Sequence, residues 1–68
     1  MSSVGEELPK EMTRVRDVVL PAYLEIGTAG MFGVIMIRQS LDKAQKAMVE
    51  GDVVEMIRSL EDLREWHS

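Results

Sequence analysis

Ala29-Gly30-Met31-Phe32-Gly33-Val34-Ile35-Met36-Ile37 runs for nine residues without a polar side chain. As a helix rising about 1.5 Å per residue it would be roughly 14 Å long, against the ~30 Å of hydrocarbon that a spanning helix must cross. The run is therefore read as the start of a helix buried in protein, not in lipid. Val34, Ile37, Leu41, Ala44 and Met48 continue it at the spacing 3, 4, 3, 4, which predicts one helix from Ala29 to Glu50. Its two halves differ. Beyond Ile37 the apolar seam is flanked by Arg38, Gln39, Asp42 and Lys43, as on an ordinary surface helix. Before it the flanks are Met31, Phe32, Ile35 and Met36, apolar almost all round, the pattern of a buried helix.

Working toward the N-terminus, Gly27 supplies a helix stop and Thr28 an N-cap for the central helix. A first helix is predicted from Pro9, where a first turn tolerates proline, to Ile26, with the stripe Met12, Val15, Val19, Ala22 and Ile26. Pro21 interrupts it, since it cannot donate to the Asp17 carbonyl. Periodicity that continues through Pro21 favours a kink over a break. Residues 1–6 read as a flexible lead-in.

Toward the C-terminus, Gly51 ends the central helix. Asp52, with Glu55 three residues on, has the pattern of a capping box. The third helix carries the stripe Val53, Met56, Ile57, Leu60, Leu63 and Trp66, with Arg58 and Asp62 placed as an i,i+4 pair. Its connection to the central helix is so short that the two must form an αα-hairpin. The fold expected is all-α: one domain over 1–68 with a Pro-kinked first helix, a long central helix and a third helix folded back on it.

The chain has 68 residues and no cysteine, so neither a disulfide nor a thiolate metal site can reinforce so small a core. Helix packing and oligomerisation remain. No basic segment precedes an apolar one at the N-terminus, which argues against a secretory or mitochondrial signal and for a cytoplasmic protein. A net charge of −4 works against non-specific attachment to phosphate backbones.

Chemistry finds little support. The candidate nucleophiles are the hydroxyls of Ser2, Ser3, Thr13, Thr28, Ser40, Ser59 and Ser68, and the one imidazole, His67, stands beside the last residue. A nucleophile needs an adjacent base and a group to orient it. Inward Glu-x-x-His pairs, which build di-metal helical bundles, do not occur, and Glu65-Trp66-His67 has the wrong spacing. No catalytic residue, metal ligand or cofactor site is assigned, and the expectation is a non-enzymatic protein.

Nucleic acid is the stronger alternative. Within residues 43–64, Ala47, Gly51, Ile57 and Leu60 fall where a helix-turn-helix places a small residue, the turn glycine and two core residues. A recognition helix must offer donors to bases and phosphates, yet this one sets Arg58 and Arg64 against Glu55, Glu61, Asp62 and Glu65. Any tight helical hairpin asks for the same small residue and glycine. A DNA-binding regulator is the runner-up.

Gly27, Gly30 and Gly33 recur every three residues but no Lys-Ser/Thr follows, so they form no phosphate loop. Each glycine within a helix costs about 1 kcal/mol relative to alanine. Close approach of another helix, with Ala29 and Gly33 as a small-x-x-x-small pair, outweighs the alternative of a hinge. Met31, Phe32, Ile35 and Met36 then decide the quaternary question. Two neighbouring helices must already cover the seam, and four more apolar side chains exceed what a monomer usually leaves in water. The expected interface is Ala29, Met31, Phe32, Gly33, Ile35 and Met36. The expected partner is a second copy, most simply a two-fold homodimer, or else another protein.

Val15-Arg16-Asp17, the segment from Pro21 to Gly27, the Ala-Gly-Met-Phe-Gly core and the span from Ala47 to Trp66 together resemble small uncharacterised proteins of bacteriophages and prophages. The likeness covers most of the chain and no specific motif. It implies a bacterial cytoplasm and an accessory role, and it assigns no site residue.

Overall fold

The computed structural model describes residues 3–67, and every regular element there is a helix. α1 spans Val4–Arg14, earlier than Pro9 and inside the expected lead-in; Ser3 is its N-cap residue, its carbonyl taking the Glu7 N–H at 2.9 Å. Residues 1 and 2 of that lead-in lie outside the described residues. Pro9 is thus interior to α1, beyond the turn where its missing N–H costs nothing. The carbonyl it leaves unpaired is that of Gly5, which is exposed to water. The early start also brings Leu8 into the core with no exposed surface, a residue the Met12-to-Ile26 stripe did not include.

Five residues of π-helix, Val15–Val19, follow directly and lead into α2, Leu20–Glu25. The cause is Pro21, whose ring crowds the Asp17 carbonyl and whose nitrogen cannot donate to it. A π turn lets that carbonyl swing aside at the expense of one extra residue. Arg14, Val19 and Leu20 all keep right-handed helical dihedrals, so Val4 to Glu25 is one continuous helical rod rather than two helices with a break. Val15 and Val19 are fully buried, whereas Ile26, the last member of the expected stripe, is exposed.

The chain reverses at Gly27, whose φ of +79° suits a residue without Cβ. Gly27–Gly30 form a 3-10 turn, and α3 runs over Met31–Glu50. The central helix therefore starts at Met31 and not Ala29, and Thr28 does not cap it: the residue at the N-cap is Gly30, without a side-chain bond. The far end has the expected stop. Gly51 takes φ +67°, its N–H donates to the Met48 carbonyl (3.2 Å), and the Asp52 N–H donates to the Ala47 carbonyl (3.1 Å), a Schellman pair.

α4 spans Val53–Arg64. The Asp52 carboxylate accepts the Glu55 N–H at 3.2 Å, so the cap is present. The reciprocal half of a capping box is not, because the Asp52 N–H is committed to Ala47. The Glu55 carboxylate instead holds Arg58 at 2.8 Å, which displaces the anticipated Arg58–Asp62 pair.

α3 and α4 form the expected hairpin, and α4 also packs along α1. The C-terminal ends of α1 and α4 meet, where Arg14 reaches Leu63. α4 thus lies between the other two helices over its length, and α2 packs on α3 beyond it. The core unites Leu8, Val15, Val19, Ile37, Ala44 and Leu63, among others, from all three rods. On α3 the buried line drifts from the expected seam. Ser40 and Ala47 are buried, while Leu41 and Met48 are only partly so. On α4 the buried set is Met56, Ser59, Leu60 and Leu63, leaving Val53 and Ile57 exposed. Small residues at 40, 47 and 59 let the hairpin helices close in, and bulkier neighbours then fall to the flanks.

Candidate interaction surface

α3 has 20 residues and α4 has 12. In an antiparallel hairpin that difference carries the first eight residues of α3, Met31 to Arg38, past the last turn of α4, an overhang of about 12 Å. Met36 still borders the groove that holds Asp62, and the chain after α4 continues to Trp66 beside Tyr23. The overhang coincides with the apolar run. α2 packs on one side of it, and Val34 and Ile37 are buried. The other side is largely open. Met31 remains 45% exposed, Phe32 76%, Ile35 50% and Met36 37%.

The glycines are explained on the covered side. A Cβ on Gly30 would overlap the Tyr23 carbonyl oxygen, and a Cβ on Gly33 would overlap the Tyr23 ring. Close approach is thus the structural reason for both, and the element that approaches is α2 of the same chain. Gly33 has Tyr23 against it, which separates it from Ala29; that residue sits exposed in the 3-10 turn. The Tyr23 ring also meets Trp66 edge to face, with centroids 5.8 Å apart and planes at 86°. One aromatic residue therefore ties the α2–α3 reversal to the segment just after α4.

Of the six residues assigned to the interface from sequence, Ala29, Met31, Phe32, Ile35 and Met36 share an exposed surface at this reversal, and Gly33 supports it from beneath. Ile26 extends the surface: it is exposed, and its Cβ would lie 3.1 Å from a Cβ on Gly30. The sequence reading had placed Ile26 in the core stripe. A second apolar group, Val49, Val53, Val54 and Ile57, is exposed about the hairpin tip. It too was missed, because Val53 and Ile57 fit the helical period of α4.

The polar part of the surface is unspecialised. A shallow groove of about 260 Å³ between α3 and α4 is lined by Met36, Ser40, Lys43, Glu55, Arg58 and Asp62, among others. Its charges are of both signs, so it selects no simple ion. Arg16 donates to the Asp17 carboxylate at 2.9 Å, and this bond holds the Asp17 carboxyl below its ordinary range and the Arg16 guanidinium above its own. No group of three or more potential ligands positioned for a metal occurs among the described residues. No helix among them is long and apolar enough to cross a membrane.

For the helix-turn-helix alternative, Ala47 and Leu60 are buried and Gly51 makes the turn, but Ile57 is 45% exposed where that motif needs a core residue. The exposed face of α4 carries Glu55, Glu61, Asp62 and Glu65 beside Arg58 and Arg64. Comparison with known proteins adds no relative: no protein-family model, curated protein or solved structure matches this chain.

Proposed function

We propose that the protein is a non-enzymatic interaction module that docks through the exposed side of the α3 overhang. The observation that carries this reading is the concentration of exposed Met31, Phe32, Ile35 and Met36 on the side of the α3 overhang that α2 leaves open. Burying each side chain fully is worth about 1.5–3 kcal/mol, so a partner that covered them would gain several kcal/mol before its ordering costs. The two methionines are unbranched and polarisable, which suits a surface that must conform to an opposing one. The glycine–tyrosine junction beneath holds the overhang in place, so little order has to be acquired on binding.

The test is photo-crosslinking in the producing cell, with benzoylphenylalanine at position 32 and, as a control, at position 39 on the polar half of α3. Position 32 should give a protein adduct and position 39 none. A chain that yields no adduct from position 32 is not an interaction module of this kind.

A further inference from the structure

We infer that the occupant of the overhang is a second copy of this chain, with the two overhangs paired antiparallel about a two-fold axis. The inference rests on the docking role just proposed and names its partner. Three observations lead to it.

The first is extent. Met31, Phe32, Ile35 and Met36, at the exposures above, offer on the order of 400 Å² of apolar surface per copy. Ile26 and the flanking Ala29 and Arg38 bring a two-copy contact to about 1,000 Å² in total, the level a specific interface needs.

The second is direction. The exposed side of α3 is apolar up to Met36 and charged from Arg38 onward. A parallel pairing would stack Arg38 on Arg38 and Asp42 on Asp42. An antiparallel pairing centred between Phe32 and Ile35 sets each Phe32 against Ile35 of the other copy, overlaps the apolar parts fully and leaves both charged halves outside.

The third is charge. Glu25 and Arg38 are both exposed, and neither enters an ion pair among the described residues. In the antiparallel register the level of Arg38 matches residue 29 of the second copy, at the reversal that carries Glu25. Two reciprocal Glu25–Arg38 pairs would then rim the apolar centre, a self-complementarity that a two-fold contact demands.

Sedimentation equilibrium over a concentration series tests this, with far-UV circular dichroism to establish that each variant is helical. The wild type should be a monomer–dimer system. Phe32→Asp should weaken the dimer about tenfold or more while leaving the helices intact, since Phe32 is mostly in water in the monomer. Glu25→Arg and Arg38→Glu should each weaken it about fivefold, and the double reversal should recover most of the loss. A wild type that stays monomeric up to ~1 mM, a dimer indifferent to Phe32→Asp, or a double reversal no tighter than the single variants would overturn the pairing. A monomer that still gives an adduct to a different protein from position 32 refutes the second copy and leaves the docking role standing.

Discussion

Arg14 at the end of α1 donates from Nη2 to the Leu63 carbonyl in the last turn of α4, at 3.0 Å, while its Nε donates to the Glu11 carboxylate, also at 3.0 Å. A side chain from one helix thus joins the Trp66 N–H (3.1 Å) on a terminal carbonyl of another and places positive charge at the negative end of that helix. The guanidinium is part-buried, so solvent weakens the contact less than it would at the surface. Arg14→Ala should destabilise the chain by about 1–2 kcal/mol, read as a lower urea midpoint at unchanged m-value. Arg14→Lys should recover less than half, because an ammonium cannot serve both acceptors in the planar geometry of the guanidinium.

Gly30 and Gly33 should respond differently to alanine. At Gly30 the dihedrals (φ −89°, ψ −7°) suit any residue, so the cost is purely steric, and the obstructing atom is a backbone oxygen that cannot step aside. At Gly33 the obstruction is a ring that can turn, and alanine regains about 1 kcal/mol of helix propensity. Gly30→Ala should therefore cost about 2 kcal/mol or more and Gly33→Ala clearly less. Thermal unfolding of the two variants checks the order. An equal loss would mean that the approach of Tyr23 is not what selects glycine.

Pro9→Ala should stabilise the protein. A proline inside a helix costs about 3 kcal/mol, while its restriction of the unfolded chain returns only about 0.4–1 kcal/mol, so a net gain of about 2 kcal/mol is expected. Urea titration reads it directly. A loss on substitution would show that the ring makes contacts worth more than the missing hydrogen bond.

Asp17 should titrate below an ordinary aspartate, because the bond from Arg16 favours its ionised form. A depressed folded-state pKa adds stability above the unfolded-state value, and that contribution is lost as pH falls through the folded value, below about 4. Both side chains are exposed, so the effect belongs to the titration curve more than to the melting point. A carbon-detected NMR titration should place the midpoint low in the wild type and return it to normal in Arg16→Gln.

Periodicity and punctuation made most of the architecture legible in the sequence. Gly51-Asp52 announced the hairpin through a positive φ and a carboxylate cap, both of which are local chemistry. The unexpected features are those that depend on what stands opposite. Ser40, Ala47 and Ser59 are buried because two helices approach there, and a hydrophobicity stripe passes over small residues. Leu8 falls outside the legible stripe because Pro9, on propensity alone, marks a helix start rather than a helix interior. Apolar Met31, Phe32, Ile35 and Met36 could be singled out in advance. That they lie in the open depends on the shorter length of α4, which no residue of α3 encodes.

The π turn at Val15–Val19 gives this chain a spare residue. An α-helix ordinarily tolerates no deletion, since losing one position turns everything beyond it by about 100° and carries the buried face into water. Here one residue has already been looped into the ladder ahead of Pro21, and Arg16, Asp17 and Val18 within it are exposed. Removing one of them, with Pro21 replaced by alanine so that its ring no longer opposes α geometry, would close the turn while Leu8 on one side and Tyr23 on the other keep their facing. Between Arg14 and Leu20 a chain carrying Pro21→Ala can thus absorb a one-residue loss that would disrupt the middle of α3 or α4.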